Sequence, residues 1–169
     1  VLGVLSDCEN LIPTLKGYAG RNSLVSPANV PALSAACTGA ATVTKLDGSR
    51  RIFAGTATAI YELVAGAWDD VSKALGYSGG DWIIAQFGDS TLAATSGHVI
   101  QRATTGDFAD ISGAPQAEII FSVNNFVMAL NTNSYADQWH CCAAFDETDW
   151  TESSTTLSAS GRLVSVPGT

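Results

Sequence analysis

Charge is scarce in this chain. Asp, Glu, Lys and Arg together make up 14% of its 169 residues, against about 25% in an average soluble domain. A surface this poor in charge is suited to being covered by neighbours. The basic side is the poorer one, with 8 Lys and Arg against 16 Asp and Glu and a formal net charge of −8. Direct binding to nucleic acid would have to work against phosphate repulsion, so that class is set aside. No apolar run reaches the roughly 18 residues of a membrane-spanning helix, and no basic, apolar and small-residue leader pattern is present. The 2 histidines and 4 cysteines are too few and too scattered for a metal centre or a disulfide framework. Cys8, Cys37, Cys141 and Cys142 are read as reduced thiols, and metal and cofactor sites are expected to be none.

Small and β-branched residues are abundant, and they recur. Laid over residues 92–112 without a gap, residues 52–72 match at an offset of 40. Ala54 meets Ala94, Ile60 meets Ile100, Gly66 meets Gly106, Asp70 meets Asp110 and Ser72 meets Ser112, while Trp68 meets Phe108 and Val71 meets Ile111. Each copy contains a short apolar strand, a small-residue turn and a second strand ending in Gly-x-aromatic-x-Asp-[Val/Ile]-Ser, the pattern of a hairpin unit. A third copy starts at an offset of about 36, with Ile120-Phe121-Ser122-Val123-Asn124-Asn125 over Ile84-Ala85-Gln86-Phe87-Gly88-Asp89.

Units of about 40 residues with several strands and one aromatic each are the signature of propeller blades. Helical repeats of similar period need amphipathic helices of about ten residues, and Gly, Thr and β-branched residues interrupt every candidate; the one helix-like stretch, Trp68 to Leu75, is too short. The expected fold class is therefore all-β, with β-propeller-like blades forming an incomplete propeller within a larger protein. Residues 46–169 are read as consecutive blade repeats. Residues 1–45, marked by Pro13, Pro27 and Pro31 with Gly17 and Gly20, are read as an irregular N-terminal arm or connector. A start at Val1 and a stop just after Arg162-Leu163-Val164-Ser165-Val166 predict a cut or processed polypeptide.

Chemistry is thin along the chain. Trp68 and Phe108 are expected to pack blade on blade, and Asp70 and Asp110 to accept backbone N–H bonds in the turn that follows. His98 and His140 fit no metal-ligand spacing, and His140 beside Cys141 points to the opposite face of a strand. Carboxylates at Asp69-Asp70, Asp107 with Asp110, and Asp146-Glu147 with Asp149 allow a glycosidase or calcium reading, but a scaffold explains acids that recur from repeat to repeat. The Ser-x-Asp-x-Gly-x-Thr-Trp order of the sialidase Asp-box is absent from Asp146-Glu147-Thr148-Asp149-Trp150. No enzyme is expected. A glycan-binding propeller for host attachment, with Trp68, Trp82, Trp139 or Trp150 stacking on a sugar ring, is the alternative.

The opening Cys8-Glu9-Asn10-Leu11-Ile12-Pro13 with Lys16-Gly17 resembles the N-terminal segment of propeller-containing tail proteins of short-tailed bacteriophages. The strands Phe53-Ala54-Gly55-Thr56, Gly66-Ala67-Trp68-Asp69-Asp70-Val71-Ser72, Asp81-Trp82-Ile83-Ile84-Ala85-Gln86-Phe87-Gly88-Asp89 and Asn125-Phe126-Val127-Met128-Ala129 are similar to their blades. The resemblance covers most of the chain, which is shorter than those proteins. It implies a virion structural protein, a tail nozzle or tail hub, in a homo-oligomeric ring of sixfold symmetry below the portal and adaptor. DNA would pass through an acidic lumen without specific binding and be retained or released there, with no membrane-spanning segment.

Overall fold

The computed structural model describes residues 11–20 and 29–163. Residues 11–20 belong to a separate unit that reaches Val30. In it, β1 (Leu11–Thr14) pairs antiparallel with β2 (Gly17–Gly20) across a two-residue turn. Gly17 has a φ of 137°, which a residue with a Cβ adopts only under strain. The arm read as irregular thus contains a regular hairpin. Cys8 lies outside the described residues.

Residues from Pro31 onward form the second unit, and every described regular element in it is a strand. The first sheet consists of β3 (Gly39–Thr44), β4 (Arg50–Gly55), β5 (Ile60–Val64) and β6 (Ala67–Asp70). The second is β7 (Ile83–Phe87), β8 (Ser90–Ala94), β9 (Gln101–Ala103) and β10 (Ala109–Asp110). The third is β11 (Ala117–Val123), β12 (Phe126–Thr132), β13 (Gln138–Cys141) and β14 (Ala159–Arg162). Each is a four-stranded antiparallel meander in chain order, the construction of a blade. The Trp68–Leu75 stretch is β6 followed by turns, and no described helix is long and apolar enough to cross a membrane.

Local sequence explains the meanders. Ala65 and Gly66 join β5 to β6 with φ values of 50° and 87°, the double positive φ of a type I′ turn, whose twist matches that of the flanking strands. Asp47 Oδ1 accepts a 2.8 Å bond from Ser49 N in the β3–β4 connection. Asp70 does the same for Ser72 N at 2.9 Å beyond β6.

The sheets stack face on face, with β7 against both β3 and β11. Alternation along each strand gives each interface its own core. Val43, Phe53, Ile60 and Val71 of the first sheet meet Ala93, Ala103 and Phe108 of the second. Leu92, Ala94, Ile100 and Ile111 of the second meet Ile120, Val127, Ala129 and Cys142 of the third. Every sheet therefore has a forward face, toward the sheet that follows, and a backward face.

The repeat is visible in the hydrogen bonds, and so is a slip in it. Val71 N donates to Ile60 O at 2.9 Å and Ile111 N to Ile100 O at 3.0 Å, equivalent bonds 40 residues apart. In β4 and β8, however, the equivalent residues are Phe53 and Leu92, each fully buried on its sheet's forward face and 39 apart. An ungapped overlay pairs Phe53 with Ala93, which faces backward. One residue of offset exchanges the two faces of a strand, and the tight turns after Thr56 and Thr95 take up the difference.

Candidate interaction surface on the third sheet

The interface between the first and second sheets shows what a forward face receives. Phe108 is 2% exposed. Its ring meets Phe53 edge-on, with centroids 5.5 Å apart at 73°, and its backbone N–H donates to Val71 O at 2.8 Å. Beside this pair, Arg51 makes a bidentate ion pair with Glu62 through Nε and Nη2 at 2.6 and 2.7 Å. These two side chains are 10% and 14% exposed. Arg51 Nη1 also reaches Thr104 O of the second sheet at 3.4 Å. Where β3 begins and β4 ends, the buried Trp82 lies on the paired glycines Gly39 and Gly55. A Cβ at Gly55 would fall 2.1 Å from the indole, whose Nε1 donates to Thr56 O at 2.8 Å.

The second and third sheets are joined in a related way. Arg102 of β9 takes the place of Glu62, and its carboxylate partner comes from the third sheet's long loop. Glu147 Oε1 accepts from Arg102 Nε at 2.7 Å and from Ser90 Oγ at 2.5 Å. An open cleft of about 440 Å³ at this end includes Glu147 in its wall. That carboxylate is thereby committed to holding the sheets together. Trp150 is buried in the same interface, its Nε1 bound to Glu147 O at 2.9 Å.

Among the described residues of the second unit, no sheet follows the third on its forward face. Cross-strand pairing places Ile119 opposite Leu130, Phe121 opposite Met128 and Val123 opposite Phe126. Met128 and Leu130 stand opposite Cys141 and Trp139 in turn. Every one of these side chains is apolar. Ile119, Phe121 and Val123 remain 43%, 40% and 41% exposed. Where the first sheet has Arg51 with Glu62, and the second Ser90 with Arg102, the third has Phe126, which packs against the core shared with the second sheet, and Cys141, which is buried with its thiol toward Leu157 O. A contiguous apolar face of this kind on a sheet marks a contact surface.

The four repeat positions named from sequence divide. Phe108 packs on the preceding sheet, but no sheet of the second unit's described residues precedes Trp68, which stays half-buried, its Nε1 donating to Pro31 O at 2.9 Å. Asp70 receives the backbone N–H of Ser72, whereas Asp110 receives side chains, Lys73 Nζ at 2.8 Å and Gln101 Nε2. Those bonds hold the Asp110 carboxyl below the usual carboxylate range, the bond from Lys73 foremost. The same lysine reaches a cluster that sequence reasoning missed. His98 Nε2 accepts from Ser78 N at 3.0 Å and lies 3.1 Å from Ser78 Oγ, while Lys73 Nζ stands 3.5 Å from His98 Nδ1. Burial first, then the Lys73 charge, lowers the His98 pKa. With Nε2 already accepting a backbone N–H, the group braces the loop between the first two sheets. Tyr77, edge-on to both Trp82 and His98, completes the brace, and burial pushes its hydroxyl up to about 12.

The remaining candidates are occupied by structure. Asp146 Oδ1 accepts from Thr148 N and Oγ1 at 2.9 and 2.6 Å, and Asp149 Oδ1 accepts from Thr151 N at 2.9 Å. These are turn-forming bonds, and the bond from the Thr148 hydroxyl leads in lowering the Asp146 pKa. Cys142 is buried, with its thiol pushed up to about 11 by desolvation. Trp82 and Trp150 are core residues and offer no face to a sugar. Trp139 lies on Gly161, where a Cβ would come within 2.8 Å of the indole. Among the described residues, His, Cys, Asp and Glu form no group able to hold a metal ion. A signal for the Trp82 anchor was present in the sequence: glycines inside two apolar strands mark close approach by another group.

No protein-family model matches the chain, and no curated protein matches it significantly.

Proposed function

We propose that this chain is an assembly module that works by stacking its sheets against further sheets. The observation that carries the reading is the uncharged apolar forward face of the third sheet, with three large side chains each about two-fifths exposed. Together with the resemblance of the repeats to tail propellers, it supports a virion structural protein of a short-tailed phage. In that role the chain is part of the tail nozzle or hub, lining the DNA exit channel below the portal and adaptor. A net charge of −8 suits a lumen that lets DNA slide by repelling it. Retention or release of packaged DNA then depends on how neighbouring modules pack, with no bond made or broken by this chain. The test is cryo-electron microscopy of the assembled particle. A trace of this polypeptide in a ring below the portal supports the reading, and its absence from the tail overturns it.

A further inference from the structure

We infer that the forward face of the third sheet takes the backward face of the first sheet of a second copy of this chain, head to tail. The inference deepens the assembly reading above and rests on it. Two interfaces inside the molecule already join a forward face to a backward face, and the repeat defines what a third requires. Phe53 and Leu92 hold equivalent forward positions in the first two sheets, and Met128, 36 residues beyond Leu92, holds that position in the third. The group that meets Phe53 is Phe108, carried by the backward face of the following sheet. Trp68 holds Phe108's repeat position in the first sheet, and among the described residues of this unit no sheet precedes it. Trp68 and its pair partner Leu63 lie on the backward face of the first sheet, in line with Tyr61 and Ile52, and Ile52 is 39% exposed.

Pro31 and Ser34 touch this backward face on β6 and β5, through Trp68 Nε1 and the Tyr61 hydroxyl, and Ile52 of β4 stays open. Seated head to tail, Trp68 of one copy covers Met128 of the next. Such an interface is heterologous. Two copies bring six four-stranded sheets, within the about four to eight that close a propeller, and a rotation that does not close adds further copies instead.

Sedimentation velocity of the full chain across concentrations, with Phe121→Asp and Trp68→Asp as variants, tests this. Wild type is expected at twice its 17.5 kDa or a higher multiple, and each variant alone as a monomer. Mixing the two variants is expected to restore a 1:1 pair, since each still has one intact face. Monomeric wild type at every concentration overturns the proposal. So does a Trp68→Asp protein that stays dimeric, which would indicate that two third sheets meet. Circular dichroism checks the fold of each variant, and Ile119→Lys replaces Phe121→Asp if that protein unfolds. Failure here leaves the tail assignment standing, because that is read from the particle and not from self-association.

Discussion

Phe108→Ala and Trp68→Ala remove aromatics from the same repeat position, and the structure predicts unequal costs. Phe108 is buried to 2% exposure between two sheets. Truncating such a ring costs about 3–5 kcal/mol through lost transfer energy and the cavity left behind. Of this, about 1 kcal/mol belongs to the edge-on contact with Phe53. Trp68 is half-buried and leaves no enclosed cavity, so its loss amounts to roughly half of a full side-chain burial, about 1 kcal/mol. The hydrogen bond to Pro31 adds at most about as much again. Urea unfolding, followed by tryptophan fluorescence in dilute solution where copies are apart, measures both. Phe108→Ala is expected to lower the midpoint with little change of slope, and to lower Tm by on the order of 10 °C. Phe108→Leu, which keeps most of the apolar volume, is expected to lose about 1–1.5 kcal/mol. Equal destabilisation by Phe108→Ala and Trp68→Ala would refute the claim that sheet order, and not repeat position, decides what the aromatic does.

Gly55→Ala places a methyl group where the Trp82 indole already lies, 2.1 Å away, and is expected to cost at least about 1–3 kcal/mol in thermal or urea melts. Glu62→Ala strands the Arg51 guanidinium, which is 10% exposed, and is expected to cost about 3 kcal/mol or more. The double variant Arg51→Met/Glu62→Leu is expected to cost less than Glu62→Ala alone, and a double-mutant cycle reads the difference. The His98 pKa is lowered in the folded protein from 6.5, so the folded state binds fewer protons and stability is complete above pH 6.5 and falls as the pH drops below it. His98→Gln is expected to flatten urea midpoints between pH 7 and 5, with a residual slope from His140, also lowered by burial; an unchanged slope would show that His98 does not carry this pH dependence. Below pH 4 the lowered carboxyls of Asp110 and Asp146 add a further loss as they protonate.

The all-β class and the blade-sized unit were legible because turn chemistry and strand period are local. Ala65-Gly66, Asp70 with Ser72, and the Ile60 and Ile100 positions state their roles within a few residues of themselves. The faces of β4 and β8 were not legible. The ungapped match pairs Ala54 with Ala94 and looks better than the true match of Phe53 with Leu92, because identical small residues outscore two unlike residues of the same burial. A strand with period two turns that single-residue error into an exchange of core and surface. Trp82 was missed for a related reason: its partners Gly39 and Gly55 contribute only the absence of a side chain, and they precede it by 43 and 27 residues.

The polar locks explain why the third face was hidden in the sequence. Arg51 with Glu62 sits within one sheet and touches the next, and Arg102 needs Glu147 from the next, so the fixing of each interface falls to pairs that the repeat match does not preserve. At the same two positions the third sheet has Phe126 and Cys141, and in sequence these look like the divergence of a fading repeat. In the fold they remove the last charge from a face that already contains Ile119, Phe121, Val123, Met128 and Leu130. A buried ion pair adds specificity more readily than stability. A face without one is free to accept a partner on shape and apolar area alone, which is the condition an assembling sheet must meet.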